Sequence, residues 1–168
     1  TVVATVMSNS GFVQSLGDIN IECVETKVGD RFVYECMQEN DYSLGGEQSG
    51  HIIIKKYATT GDGILSAIMV TEEICDRKQK LSDLTKELTL YPQVTVNVAV
   101  QNKDTALKDT EVIRVKEEVE ALIGLNGRVL LRKSGTEPVL RVMVECGDSS
   151  LCREYALKIA DTIKERGL

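Results

Sequence analysis

The sequence predicts an α/β domain followed by an α+β domain: a truncated mixed-sheet α/β/α layer in residues 1–80, then a small antiparallel sheet with helices on one face in residues 82–168. Three observations lead to this prediction. Short apolar runs alternate with helical patterns through the first region, as they do in α/β layers. A polar stretch at 77–90 lacks a strong apolar pattern and separates the two regions. The second region opens on a strand with one apolar face, formed by Val94, Val96, Val98 and Val100.

The first region contains six predicted elements. They are a strand at 2–7, a helix at 10–16, a strand at 19–24, a helix starting near 30, a strand at 52–54 and a helix at 62–77. Asp30 and Asp62 are each expected to cap the helix that follows, because a carboxylate can accept the unpaired N–H groups of a first turn. Residues 44–51 are interpreted as a glycine-rich turn. Because a strand begins at Thr1 with no initiator Met, we expect a fragment cut inside a domain.

The second region adds two helices and two more strands. The patterns predict a helix at 109–123, strands at 128–132 and 139–146, and a last helix capped by Ser149 or Ser150. The two strands flank a turn at 133–138. In the later strand Arg141 alternates with apolar residues, which places it on the polar face of the sheet.

Composition restricts the classes of function. The chain has 168 residues and a net charge of −6, so we expect neither nucleic acid nor an anionic membrane as a partner, because both require a basic surface. An anionic ligand must therefore meet a local cluster of cations. The five cysteines form no CxxC pair and lie in apolar runs, which favours reduced thiols in a cytoplasmic protein. With a single histidine they do not suggest a zinc site.

One group of residues suited to an anionic ligand spans the predicted turn of the second region. It consists of Arg132, Lys133, Ser134, Gly135, Thr136, Glu137 and Pro138, with Arg141 three residues later. Guanidinium groups bind phosphate oxygens in pairs, hydroxyls add donors, and a glycine lets backbone N–H groups turn toward a ligand. The same residues also suit a plain hairpin turn with surface arginines, and composition alone favours that interpretation.

A second constellation lies in the glycine-rich turn of the first region. Its residues are Gly46, Glu47, Gln48, Ser49, Gly50 and His51. A carboxylate and a hydroxyl can together hold adjacent hydroxyl groups of a sugar ring. The alternatives are an ordinary turn and a histidine with a structural role, since a lone histidine is more often structural than a ligand.

Taken together, these motifs resemble those of the alpha-D-phosphohexomutase superfamily. The resemblance covers essentially the whole chain in order, through residues 3–9, 28–33, 46–51, 59–63 and 132–138. It implies that residues 1–80 are most of the third domain of such an enzyme and that residues 82–168 are the fourth. Gln48 is typical of the branch that acts on glucosamine phosphates, whereas phosphomannomutase/phosphoglucomutase relatives commonly carry Met there.

The resemblance also implies roles for individual residues. Glu47 and Ser49 would hold ring hydroxyls, with His51 nearby. Arg31 matches a basic substrate contact of some relatives, although its place at the start of a helix equally suits a solvated charge. The non-reacting phosphate would be held by Arg132, Ser134, Gly135, Thr136 and Arg141.

Two catalytic motifs of the superfamily are absent from the sequence, namely a Thr-x-Ser-His-Asn-Pro phosphoserine loop and an Asp-Gly-Asp-Gly-Asp magnesium loop. Asp62 offers one carboxylate where the metal loop needs three, so no metal ligand is assigned. The resemblance implies a full-length, Mg²⁺-dependent enzyme with N-terminal domains, which interconverts glucosamine 6-phosphate and glucosamine 1-phosphate through a bisphosphate. The fragment alone is expected to be inactive. The alternatives are a phosphomannomutase/phosphoglucomutase fragment and a non-catalytic phosphosugar-binding module.

Overall fold

The computed structural model describes residues 1–124 and 127–168, which form two units, Thr1–Leu90 and Tyr91–Leu168. The elements of the first unit are β1 (Val2–Thr5), α1 (Ser10–Asp18), β2 (Cys23–Thr26), α2 (Asp30–Glu39), β3 (Leu44–Gly46), β4 (Ile52–Ile54), α3 (Gly63–Arg77) and α4 (Leu81–Leu84). Its sheet has the strand order β2-β1-β3-β4. Strand β1 runs parallel to β2 and β3, and β4 runs antiparallel to β3, which confirms the predicted mixed sheet.

Helices cover both faces of this sheet. On one face Val3 of β1 is fully buried in a small core with Val33 and Met37 of α2. On the other face Val2 and Phe12 of α1 line a cavity of 450 Å³. Because neighbouring residues of a strand point to opposite faces, α1 and α2 lie on opposite sides of β1. The α/β/α layering is therefore confirmed.

The start of the strand predicted at 19–24 is wrong, because α1 ends later than its apolar pattern suggests. The helix runs to Asp18, and the N–H groups of Ile19 and Ile21 both donate to the carbonyl of Leu16. Asn20 adopts a left-handed conformation with φ of 58°, which asparagine tolerates better than most residues and which closes the helix. Strand β2 consequently begins only at Cys23.

The two predicted caps of the first unit have different outcomes. Asp62 caps α3 as predicted, since its Oδ1 accepts the N–H groups of Ile64 and Leu65, each at 3.0 Å. Asp30 does not cap α2: it is the first residue of that helix, and Gly29 occupies the cap position without a side-chain hydrogen bond. The Asp30 carboxylate instead accepts the N–H of Arg31. A carboxylate inside the first turn still interacts favourably with the positive end of the helix dipole.

The region interpreted as a glycine-rich turn contains a strand, so that interpretation is wrong in part. Gly45 pairs with Val3 of β1 on one side and with Ile53 of β4 on the other. Glycine is depleted in strands, and the local sequence therefore predicted a turn. Only residues 47–51 form the turn between β3 and β4.

The second unit is a three-stranded antiparallel sheet with its main helices on one face. Its elements are β5 (Gln93–Ala99), α5 (Lys103–Lys108), α6 (Thr110–Ile123), β6 (Arg128–Lys133), β7 (Val139–Glu145) and α7 (Ser149–Glu165). The strand order is β5-β7-β6. Val142 and Val144 of the central strand share one core with Val119 of α6 and Ile159 of α7. Both helices therefore cover the same face, as predicted.

Helix starts in this unit are set by aspartates and by one asparagine. Asp109 caps α6 through the N–H groups of Glu111 and Val112, close to the predicted helix start. The cap of α7 is Asp148, so the prediction of Ser149 or Ser150 is wrong: Asp148 stands one position earlier and accepts the first free N–H groups. The six residues of α5 were not predicted, because a helix this short carries little apolar periodicity.

Within residues 1–124 and 127–168, no helix is both long and apolar enough to span a membrane.

Candidate functional site

The first candidate site is the acidic loop, defined as residues 46–51 at the turn between β3 and β4. The loop is closed by two backbone hydrogen bonds, from Glu47 N to His51 O and from Gly50 N to Glu47 O, both of 3.0 Å. Gly46 pairs with Ile52 at the base of the loop. A Cβ on Gly46 would lie 2.6 Å from the carbonyl oxygen of His51, so only glycine fits there without a backbone shift.

The carboxylate of Glu47 is the centre of this loop, and only 9% of its side chain is exposed. It accepts the N–H of Gly29 at 3.1 Å and the hydroxyl of Ser49 at 2.6 Å, and it lies 3.2 Å from Nδ1 of His51. A buried carboxylate requires such partners, because an unpaired charge is costly away from water. The structure thus brings together the three residues predicted for the acidic loop.

This network also determines where His51 carries a proton. The single hydroxyl proton of Ser49 is donated to Glu47, yet Ser49 Oγ lies 2.8 Å from Nδ1 of His51. The hydroxyl oxygen must then accept, so Nδ1 of His51 donates. This arrangement leaves Nε2 of the half-exposed imidazole available to an external group.

Two contacts of the acidic loop escaped the sequence analysis. Gly29 donates to Glu47 from 18 residues away, with a φ of 128° that favours glycine. Thr5, which is fully buried, donates its hydroxyl to Oε1 of Gln48 at 3.3 Å. Neither residue has a type or spacing that would reveal the contact in the sequence, because each contact depends on how the strands and helices pack.

The second candidate site is the basic loop, defined as residues 132–138. It comprises the last two residues of β6 and the turn that joins β6 to β7. Ser134 is buried, its N–H donates to Val139 O at 3.0 Å, and its hydroxyl accepts the N–H of Glu137 at 3.2 Å. Ser134 therefore shapes the loop. Gly135 and Thr136 at the tip are exposed, and their N–H groups have no acceptor in the described part of the chain.

Two arginines stand side by side at the base of this loop. Arg132 of β6 and Arg141 of β7 are directly paired residues of the antiparallel ladder, so their side chains lie on the same face. Burial, together with the positive charge of Arg141, lowers the pKa of Arg132 below its ordinary value. A neighbouring pair of cations is unfavourable unless an anion compensates it.

The acidic partners of these arginines are sparse. Nη2 of Arg141 lies 3.6 Å from the carboxylate of Glu137, whose side chain is mostly exposed. Nε of Arg141 is buried and has no hydrogen-bond partner among the described residues. Arg132 forms no ion pair within the described part of the chain. The basic loop and the neighbouring Arg141 together offer two guanidinium groups, two free N–H groups and the hydroxyl of Thr136. All of these groups suit an anion such as phosphate.

Arg31 lies on the outer surface of α2. Its Nε donates to Glu35 at 2.7 Å, and 81% of its side chain is exposed. The hydrogen bond that Arg31 donates to Glu35 raises the pKa of Arg31. Within residues 1–124 and 127–168 the structure records no contact between Arg31 and the acidic loop, although Gly29, two residues earlier, donates to Glu47.

The described residues do not supply a metal site. They include no group of three or more histidine, cysteine, aspartate or glutamate side chains that could hold an ion. Asp62, the carboxylate in the 59–63 motif, already accepts two N–H groups at the start of α3. A Mg²⁺ ion prefers several oxygen ligands in a near-octahedral arrangement, which a single capping aspartate does not offer.

The sequence matches two family models in succession. Residues 1–91 match the phosphoglucomutase/phosphomannomutase alpha/beta/alpha domain III. Residues 96–162 match the C-terminal domain of phosphoglucomutase/phosphomannomutase.

Individual relatives are longer than this chain. The chain is 50% identical over 166 residues to a phosphoglucosamine mutase of Lachnospira eligens, and 51% identical over 166 residues to one of Anoxybacillus flavithermus. Each match covers 99% of this chain and 37% of the relative. A crystal structure of Aspergillus fumigatus N-acetylphosphoglucosamine mutase in complex with GlcNAc-6P and magnesium has a similar fold, with a TM-score of 0.81 at 18% identity. That match covers 99% of this chain and 39% of the fungal one.

Proposed function

Because the chain belongs to the phosphoglucomutase/phosphomannomutase family, we propose that it is the substrate-binding C-terminal part of a phosphoglucosamine mutase. The full-length enzyme interconverts glucosamine 6-phosphate and glucosamine 1-phosphate through a bisphosphate intermediate. The choice of glucosamine rests on the 50% identity to a phosphoglucosamine mutase, of which this chain spans 37%.

The pairing of Arg132 with Arg141 carries the proposal. Two guanidinium groups on one face, next to the free N–H groups of Gly135 and Thr136, form a site for a dianionic phosphate. The hydroxyl of Ser134 keeps the loop in shape through Glu137 N and retains its own proton for donation. We assign the phosphate that does not react to this loop.

The acidic loop supports a second part of the proposal, namely that Glu47 and Ser49 hold ring hydroxyls of the sugar. The carboxylate accepts from Ser49 in the structure, and a sugar hydroxyl can take over that hydrogen bond, because both are O–H donors of similar geometry. Nε2 of His51 is available for a further hydroxyl. Arg31 remains a candidate substrate contact only if it gives up its ion pair with Glu35.

In the proposed function, other residues of the full-length enzyme carry out the phosphoryl transfer. A phosphoserine and Mg²⁺ would come from its N-terminal domains, since Asp62 is occupied as a helix cap. In phosphoryl transfer, holding the remote phosphate and the ring hydroxyls reduces the barrier by positioning the reacting group. We also infer a cytoplasmic location, which the five free thiols support.

The test of this function is Arg132→Ala in the full-length enzyme. We expect kcat/KM for glucosamine 6-phosphate to fall about 100-fold, because hydrogen bonds to charged groups contribute roughly 1.5–3 kcal/mol each. Arg153→Ala is the matched control: it removes the same charge from an exposed position on α7. An unchanged kcat/KM in the Arg132 variant would remove the phosphate role.

The same assay identifies the sugar. Glucosamine, glucose and mannose phosphates are compared in the wild-type enzyme, and the proposal requires glucosamine phosphate to have the highest kcat/KM. A preference for glucose or mannose phosphate would favour a phosphoglucomutase/phosphomannomutase. Phosphosugar binding without turnover of any of the three would favour a non-catalytic binding module.

A further inference from the structure

A segment from another part of the second unit runs across the basic loop. We define this crossing segment as residues 100–104, which follow β5 and include the first two residues of α5. Its Val100 N–H donates to Pro138 O at 3.0 Å, and its Lys103 Nζ donates to the carbonyls of Ser134 at 2.8 Å and Glu137 at 3.2 Å. Its last residue, Asp104, forms an ion pair with Lys133. The crossing segment thus contacts the loop from one end to the other.

We propose that Lys103 is a positioning residue for phosphate binding, which holds the basic loop in its anion-binding shape through the carbonyls of Ser134 and Glu137. This inference rests on the proposed phosphate role of the loop. It concerns a lysine whose ammonium group donates to the protein backbone, so its role differs from that of Arg132 and Arg141.

The peptide geometry explains how Lys103 orients a phosphate donor. The carbonyl of Ser134 and the N–H of Gly135 belong to one peptide plane, and this plane is trans. In a trans peptide the N–H points away from the carbonyl oxygen. By holding the Ser134 carbonyl at 2.8 Å, Lys103 therefore directs the free N–H of Gly135 away from itself.

The charge of Lys103 adds a second effect. An ammonium group that donates to a carbonyl polarises the peptide, which makes the N–H of the same peptide a stronger donor. The N–H concerned is again that of Gly135. Lys103 also adds positive potential beside a loop that the proposal assigns to a dianion.

The backbone of Lys103 is well placed for this role. Asn102 caps α5 by accepting the N–H groups of Asp104 and Thr105, at 2.9 and 3.1 Å. Ala106, one turn further on, is completely buried in the core. A helix cap and core packing therefore fix the backbone of Lys103 relative to the sheet. The hydrogen bonds of its ammonium group in turn hold the loop in place.

The test uses Lys103→Met in the full-length enzyme, because methionine keeps most of the aliphatic stem and removes the donors. We expect KM for glucosamine 6-phosphate to rise about 10-fold with kcat changed less than about 3-fold, and the inhibition constant of inorganic phosphate to rise by a similar factor. Lys103→Arg restores two donors and should return KM to within about 3-fold of wild type. Lys108→Met is the matched control on the same helix, at an exposed position.

A purely structural role predicts a different result. In that case Lys103→Met lowers the thermal unfolding midpoint with KM unchanged, which would overturn the inference. If the Met variant does not fold, Lys103→Gln keeps an N–H₂ group but removes the charge and shortens the side chain, so it should give an intermediate KM. A wild-type KM in that variant would overturn the inference as well.

Arg132→Ala, measured in parallel, separates this inference from the proposed function. A raised KM in the arginine variant with a normal KM in the lysine variants rejects only the role of Lys103. Normal values in both reject the phosphate role of the whole loop.

Discussion

The acidic loop and the basic loop both lie at the turn of an antiparallel pair of strands, yet their polar groups are satisfied in opposite ways. Glu47 in the acidic loop has three partners within its own unit, so its carboxylate has hydrogen-bond partners before any ligand arrives. Arg132 in the basic loop has no ion pair in the described part of the chain and lies beside a second arginine. The polar groups of one loop are paired with one another, whereas the other loop has donors left over for an anion.

This difference assigns different energetic roles to the two loops. Under the proposed function, a ligand hydroxyl at Glu47 would exchange one hydrogen bond for another, so we expect the acidic loop to add selectivity more than affinity. A phosphate at Arg132 would relieve the repulsion between two cations, so we expect the basic loop to contribute more of the affinity and more of the salt sensitivity. Three predictions follow from the comparison.

The largest effect is expected for the glycines of the two loops. Gly46→Ala places a Cβ 2.6 Å from a backbone oxygen and should destabilise the protein by about 2 kcal/mol, as overpacking typically does. Gly135→Ala has no heavy atom within 4 Å of its new Cβ, so the change should stay within about 0.5 kcal/mol. Urea unfolding of both variants measures the difference. Equal free energies of unfolding would show that the acidic loop is not the more tightly packed of the two.

A smaller effect is expected from Glu47→Gln, which keeps the shape of the side chain but replaces one acceptor with a donor. At least one of the three partners of Glu47, which are Gly29 N–H, the Ser49 hydroxyl and Nδ1 of His51, then faces a donor N–H₂ group instead of an acceptor. We expect glucosamine 6-phosphate to bind about 10-fold more weakly, equivalent to about 1.4 kcal/mol, by titration calorimetry on the full-length enzyme. Glu39→Gln, at the exposed last residue of α2, is the control. Unchanged affinity would reduce residues 46–51 to a structural turn.

The smallest effect is a difference in salt dependence. Between about 0.1 and 1 M salt the Debye length shrinks from about 10 to about 3 Å, and KM of the wild-type enzyme should rise about 3-fold. Arg132→Ala should flatten this dependence, because it removes one of the paired cations, whereas Glu47→Gln should leave it unchanged. Parallel slopes in both variants would contradict the assignment of charge recognition to the basic loop.

Local patterns in the sequence predicted the local parts of this structure well. The alternating valines predict β5, Asp62 predicts the start of α3, and an apolar stripe predicts α6, because each signal depends on residues a few positions apart. The residue types of both loops were also visible, since phosphate and sugar hydroxyls require particular donors and acceptors.

What the sequence could not predict depends on residues far apart in the chain. Strand β3 exists because Gly45 pairs with Val3, although its own residues favour a turn. The hydrogen bond from Gly29 to Glu47 spans 18 residues, and that from Lys103 to Ser134 spans 31. No spacing rule covers such contacts, which are decided by the packing of strands and helices.

The direct pairing of Arg132 with Arg141 has a consequence for insertions and deletions in homologous sequences. Residues along a strand alternate between faces, so deleting one residue within β7, such as Leu140, would put Arg141 at a position that faces the apolar core and expose its neighbour. A change of length at the exposed tip near Gly135 leaves the ladder intact. Length variation is therefore expected only at the tip, where it alters the size of the anion that fits without separating the two arginines.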